Sequence, residues 1–207
     1  MTHHKFNQQK QSGIALLMTI LVLGVVLSVT LAMVELSMQQ LALSVDTKDS
    51  EIAFHAANAG LECARYMRRH ASSSFERGIT AITPLCFGTT TPVIRRVTAG
   101  SEGVATSTSG AGAYGSVYRY KVSLASGTNR CSVIDMITMV VQSSSTRDLI
   151  MTAPSGDLGD VLPGYGANTK RCAPGAVCTV AVVAGYNALC SGITADGVLK
   201  RQVLLEF

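Results

Sequence analysis

The sequence predicts an α+β fold in which a long N-terminal α-helix packs on one face of an antiparallel β-sheet. Three observations carry this. An uncharged apolar run extends from Ile14 to Val34, helix-compatible sequence without proline continues to about His70, and the remainder holds short β-rich stretches joined by turn residues. The chain has 207 residues, 47% apolar and 14% charged, enough for one domain of ordinary size plus a separate apolar segment. Its mean hydropathy of +0.31 reflects that segment, because the rest of the chain is moderately polar.

The first element is the run IALLMTILVLGVVLSVTLAMV, with Glu35 the first ionisable side chain after it. At about 1.5 Å per residue it just spans a hydrocarbon core of about 30 Å as a helix. Lys5 and Lys10 precede it, and Glu35, Asp46, Lys48, Asp49 and Glu51 make the other flank mainly acidic. The positive-inside rule then puts the N-terminus in the cytoplasm and the bulk outside. A secretory cleavage site is poorly matched by Thr30-Leu31-Ala32, and a soluble core helix this apolar would need neighbours all round it, which the remaining sequence does not offer.

The continuation differs from a simple anchor. Leu41, Val45, Ile52, Ala56, Ala59, Cys63 and Met67 recur at threes, fours or their sums, which predicts one apolar stripe on a polar helix. Phe54, Ala57 and Leu61 form an adjoining line, and Ala56-Ala57-Asn58-Ala59-Gly60 permits close approach of another backbone, the helix's own sheet being the favoured partner. Arg65, Arg68 and Arg69 share a face in the last turns, where positive charge complements the helix dipole and can meet orphan carbonyls.

After His70, Ser72-Ser73-Ser74 and Thr89-Thr90-Thr91-Pro92 read as loops. From Gly115 to Leu124 the residues alternate, with Tyr118, Tyr120, Val122 and Leu124 on one face and Arg119, Lys121 and Ser123 on the other. Turn chemistry at Ser126-Gly127-Thr128-Asn129 leads into the β-rich run Cys131 to Val141, so the two predict an antiparallel hairpin. Further strands are expected at Asp148 to Thr152, Cys178 to Gly185 and Lys200 to Phe207. Pro154 to Gly175, rich in glycine and proline, is expected as a long loop.

All six cysteines, Cys63, Cys86, Cys131, Cys172, Cys178 and Cys190, lie downstream of the apolar run. An even number beyond a membrane segment suggests disulfides. Cys172 with Cys178 is the favoured pair, closing a small ring at the end of the loop, and Cys63 with Cys86 is favoured next because the chain leaves the helix nearby. Sequence does not choose among the many remaining connectivities. Zinc is disfavoured, since no C-x-x-C occurs and His3, His4, His55 and His70 are remote from the C-terminal cysteines.

Here the residues resemble a known family. A short basic leader, Ser12-Gly13 directly before an apolar helix, and that helix running on into an exported domain resemble type IV pilins and pseudopilins. The stretch Ala53-Phe54-His55-Ala56-Ala57-Asn58-Ala59 is similar to a segment of minor pilins, and the pieces Ala184 to Asn187 and Lys200 to Phe207 resemble the ends of pilin-like exported proteins. The resemblance implies a leader at 1–13, a transmembrane helix at 14–34, its amphipathic continuation at 35–70 and a β-rich exported domain at 71–207. It further implies cleavage by a prepilin peptidase between Gly13 and Ile14, N-methylation of Ile14, and residence in the bacterial cytoplasmic membrane before assembly into a cell-surface filament. Expected partners are other pilin subunits, the assembly machinery, the peptidase and membrane lipid.

Met18 departs from the family pattern, since it holds the fifth mature position, where major pilins carry a glutamate that pairs with a neighbour's N-terminal amine. The resemblance therefore points to a low-copy minor pilin or pseudopilin, at a tip or in priming assembly. The alternative is a single-pass membrane protein whose outer domain binds a partner without polymerising.

No enzyme is expected. There is no G-x-S-x-G, P-loop or dinucleotide fingerprint, and a triad would have to draw on His55 or His70 of the helix. Asp135, Asp148 and Asp157 read as surface or turn residues, and Asp157 with Asp160 as solvated residues rather than calcium ligands, their spacing being no EF-hand. No catalytic residue, metal or cofactor is therefore assigned. The formal charge of +4 falls to +2 without the leader that carries Lys5 and Lys10, too little to support nucleic acid as a partner.

Overall fold

Helix α1 runs from Ser12 to His70. The structure, a computed structural model, describes residues 12–79, 81–83, 85–86, 89–90, 93–98, 105–108, 112–125, 129–153, 155 and 158–207. By contacts the chain divides at Lys48, with residues 1–48 and 49–207 forming separate units.

In the first unit α1 is exposed on every side. Nothing from Ile14 to Val45 is buried within the chain, and the large apolar side chains there are each about half exposed or more, Ile14 at 69% and Val29 at 48%. Three hydroxyls interrupt the apolar run, and each is turned back onto the helix. Thr19 donates to Leu16 O at 2.8 Å, Ser28 to Val25 O at 2.8 Å and Thr30 to Leu27 O at 2.9 Å. A segment that must satisfy its own polar groups in an apolar solvent needs this arrangement.

In the second unit the helix from Asp49 to His70 is followed by a short helix α2 (Ser72–Glu76) and eleven strands among the described residues: β1 (Ala81–Ile82), β2 (Leu85–Cys86), β3 (Thr89–Thr90), β4 (Val93–Thr98), β5 (Ala105–Thr108), β6 (Gly115–Ala125), β7 (Cys131–Val141), β8 (Leu149–Thr152), β9 (Thr169–Cys172), β10 (Val177–Tyr186) and β11 (Lys200–Glu206). Six of them form one antiparallel sheet in the order β1-β4-β6-β7-β10-β11, while β5-β8-β9 form a second and β2-β3 a two-stranded pair. The fold is α+β, as the patterning predicts, and the five expected strands are all present. The β6–β7 hairpin pairs Gly115 with Val141 through to Ala125 with Cys131.

The main sheet is covered on both faces. Towards α1, a core gathers Leu61, Cys63, Ala64 and Met67 with Phe75, Tyr120, Val122, Leu124, Ile134, Met136, Ala181 and Val183. On the other face Val117, Ile137, Met139, Val180 and Val182 meet Leu149 and Met151 of β8 and Leu158, Leu162 and Tyr165 beyond it. Being buried on both sides explains why β7 reads as one continuous apolar run rather than an alternation.

The helix sits on its sheet with unusually little between them. A Cβ at Gly185 would lie 2.0 Å from Ala53 O and 2.2 Å from Ala57 N, and one at Gly60 would lie 2.6 Å from Val183 Cγ1. Ser132 Oγ closes the same contact by donating to Ala56 O. Together with Arg68 reaching Thr179 Oγ1 at 3.1 Å, these contacts run α1 antiparallel to β10 and therefore parallel to β11.

Four expectations change. The apolar stripe is narrower and begins later than its periodicity suggests: Ala53, Ala56, Ala57, Gly60, Cys63, Ala64 and Met67 are buried, whereas Leu41, Val45 and Phe54 are exposed. Small side chains make the contact because the sheet approaches the helix backbone. Ser72-Ser73-Ser74 is not a loop but the start of α2, held by fully buried Phe75, whose ring meets Tyr120 edge-on at 4.6 Å and whose carbonyl accepts from the Tyr120 hydroxyl at 3.1 Å. Thr89-Thr90 pairs with Leu85-Cys86, and residues 91–92 lie outside the described ones, as do turn residues 126–128. Finally, the segment from 154 to 175 carries a 3-10 turn (Leu158–Asp160) and β9, because Leu158, Leu162 and Tyr165 pack into the core on that face of the main sheet.

Candidate functional site

Two regions bear on function, the start of α1 and the surface of the second unit. Ser12 and Gly13 open the helix, and a Cβ at Gly13 would meet nothing within 4 Å. No packing among the described residues therefore asks for glycine there, although glycine in a helix costs about 0.5–1 kcal/mol relative to alanine. Ile14 and Met18 are 69% and 59% exposed, and Met18, Thr19, Val22 and Leu23 line a shallow, wholly apolar groove. With Met18 in place this stretch of helix presents no carboxylate.

Among the described residues α1 is the one helix long and apolar enough to cross a membrane, with a mean hydropathy of 2.8 over its apolar window and none of that window buried in the chain. Residues 1–11, including His3, His4, Lys5 and Lys10, lie outside the described ones. The flank that follows the run, Glu35, Asp46, Lys48 and Glu51, is exposed or at most partly covered.

All six cysteines are paired. Cys63 joins Cys86, tying α1 to β2; Cys131 joins Cys190, tying the start of β7 to the connection after β10; and Cys172 joins Cys178, tying β9 to β10. Both favoured pairs are present, and the third brings together cysteines 59 residues apart.

Among the described residues, two of the arginines expected near the helix-end carbonyls bond to side chains instead. Arg68 pairs with Glu76 at 2.9 Å and Thr179, and Arg65 with Glu62. His55 and His70 are both exposed on α1, His70 stacking on Tyr66 with ring centroids 4.2 Å apart. Fifteen residues of helix, about 22 Å, separate the two histidines. Asp135 is committed to Arg119 through bonds of 2.9 and 2.6 Å, and the same guanidinium donates to Val161 O at 3.0 Å. Asp157 lies outside the described residues and Asp160 is exposed. Among the described residues no group of three His, Cys, Asp or Glu side chains is placed to hold a metal.

One charged cluster escapes sequence reasoning. Glu206 at the end of β11 accepts from Lys170 Nζ of β9 at 2.7 Å, and the Tyr165 hydroxyl also bonds to it. The hydrogen bond from Lys170 is the main reason the Glu206 carboxyl is held below its ordinary value; burial opposes the shift, and the ammonium charge and Tyr165 add to it. Tyr165 is pushed up to about 12 by burial first, then by the charge and hydrogen bond of Glu206. Burial also raises Tyr186. Alternation along Lys200 to Glu206 shows which side Glu206 faces, but its partners come from a segment with no periodic signal.

No protein family, characterised protein or solved structure matches the chain. Fold and site together define a class: a chain whose described residues hold one membrane-capable apolar helix that continues, without a break, into a disulfide-bonded α+β domain.

Proposed function

We propose that the chain is a minor type IV pilin or pseudopilin, a structural subunit of a cell-surface filament or secretion pseudopilus that enters the cytoplasmic membrane with its N-terminus inside. The observation that carries the reading is Gly13 at the head of α1, a glycine that no packing among the described residues requires, followed at once by an apolar run and a helix that becomes part of the folded domain. A glycine with open space around it suits recognition by a peptidase. Cleavage between Gly13 and Ile14 would free an amine at Ile14 for methylation.

Met18 supports the minor role. A carboxylate in lipid is costly unless it is paired with a cation, and a subunit lacking one at this position has no partner to make above it. Such a subunit is suited to the tip or to priming.

N-terminal mass spectrometry of the native protein tests the reading. The expected terminus is Ile14, carrying one methyl group, with Gly13→Ala blocking both changes. An intact Met1 in cells with active prepilin peptidase would sink the proposal and leave a single-pass membrane protein with a non-polymerising outer domain.

A further inference from the structure

The three disulfides do not follow the order of the chain. Cys63 joins Cys86, the next cysteine along, but Cys131 joins Cys190 and so encloses the Cys172–Cys178 ring. The Cys131–Cys190 link spans 59 residues, whereas the two wrong partners stand nearer, about 41 and 47 residues beyond Cys131. The chance of closing a flexible loop falls as about the −3/2 power of its length, so among these three partners an oxidised Cys131 finds Cys190 about one time in four. Export lowers that share. A chain entering the membrane with its N-terminus inside emerges in sequence order, at about 5–20 residues per second when export keeps pace with synthesis. Cys131 is then outside for about 2 s or more before Cys172 arrives, and Cys172 for about 1 s or more before Cys190.

A wrong pair cannot be carried into the fold. Cys178 lies opposite Met139 and Tyr186 opposite Cys131, which separates Cys131 from Cys178 by about 27 Å of strand at about 3.3 Å per residue. A disulfide needs its Cα atoms within about 7 Å. Cys190, with its Cα 4.9 Å from that of Cys131, is equally remote from Cys178. Nor can the folded chain exchange its bonds, because Cys131 is 0% and Cys172 1% exposed and an attacking thiolate must reach the sulfur. Errors have to be corrected on the unfolded chain.

We propose that a thiol–disulfide isomerase of the export compartment acts on this chain, exchanging Cys131–Cys172 and Cys131–Cys178 bonds before the main sheet closes. Its thiolate attacks Cys172 Sγ of a Cys131–Cys172 bond and expels the Cys131 thiolate, leaving Cys172 in a mixed disulfide with the enzyme. The Cys178 thiolate then attacks Cys172 Sγ, which forms Cys172–Cys178 and returns the enzyme thiolate. No electrons are gained or lost in this exchange. Cys131 and Cys190 are joined afterwards by the compartment's disulfide oxidant, a protein disulfide that takes up the two electrons and two protons and becomes a dithiol. Cys63–Cys86 needs the oxidant alone. The inference rests on export of the folded unit, but not on its joining a filament.

Disulfide mapping of the full chain tests it, in cells with and without that isomerase. Thiols are trapped by alkylation at harvest, and linked peptides are read by mass spectrometry. Without the isomerase the Cys131–Cys190 peptide should fall about fourfold, and peptides linking Cys131 to Cys172 or Cys178 should appear, while Cys63–Cys86 holds its level. A chain carrying both Cys172→Ser and Cys178→Ser offers Cys131 no wrong partner downstream. It should give the Cys131–Cys190 peptide equally in both cells, whatever its stability, since linkage is what is read. Full native pairing of the wild-type chain without the isomerase would overturn the proposal, as would an isomerase dependence that persists in the double variant. Six free thiols in both cells would instead remove the export reading, and the inference with it.

Discussion

At Gly185 the strand leaves no room for a side chain. A methyl there would lie on the Ala53 carbonyl and the Ala57 amide, and neither can move without lifting the helix. Gly185→Ala should therefore lower stability by about 2 kcal/mol or more, read as a lower urea midpoint at unchanged slope. The small residues facing it were visible in the sequence as Ala56 to Gly60. That they meet a glycine of β10 was not, because the matching residue is 125 or more positions away and carries no periodic signal of its own.

Glu206 gives a second test at this scale. Its folded pKa lies below the ordinary 4.5, so between those two values the unfolded chain binds more protons than the folded one. The stability it contributes is present above 4.5 and is lost as pH falls through the lowered value. Glu206→Gln should flatten the dependence of stability on pH in that acid window, measured by denaturant titration at several pH values. Tyr165 has the opposite sense, being raised from 10.0 to about 12, so its contribution is full below pH 10 and fades as pH rises towards 12.

Among the elements, the disulfides differ most in the span they close. In the chain-entropy account a link across 59 residues, as in Cys131–Cys190, restricts the unfolded chain more than one across 6, as in Cys172–Cys178. Replacing both cysteines of the first pair by serine should cost about 4 kcal/mol and of the second about 2 kcal/mol, measured as separate denaturation curves under oxidising conditions. The small ring was legible because both cysteines border one glycine-rich stretch. The long link was not, since it depends on the route taken by the chain after Tyr186.

The strands show the same division. Alternation from Gly115 to Leu124 assigns Tyr120, Val122 and Leu124 to the helix side, where they are buried, and Arg119 to the other, where it meets Asp135. Short pieces such as β1, β2 and β9 are too brief for a period to register, and they exist because tertiary partners hold them. The helix was legible in its length but not in its burial. Leu41 and Val45 continue the spacing of the buried face, yet they precede Asp49, where the folded unit begins, and they are exposed.

For the whole molecule, the proposed role turns on Met18. If the chain is a minor subunit that needs no partner above it, Met18→Glu should leave membrane insertion intact while changing assembly, either lowering the number of filaments or drawing the variant into their shafts. Filament counts by electron microscopy, with the protein's abundance along purified filaments, decide this. Unchanged filaments together with major-subunit abundance of the wild-type chain would contradict the minor role.

Cys63 lies near the far end of α1 and is bonded to Cys86, which gives the domain a mechanical character. Tension drawn through Asp49 loads a helix that lies along its strands, so the contact resists in shear, with many interactions sharing the load, rather than opening one at a time. Should the helix begin to slide, it can separate only as far as Cys63, where a covalent bond takes over. Under reducing conditions that stop is removed, and the same pull would draw the helix free to His70.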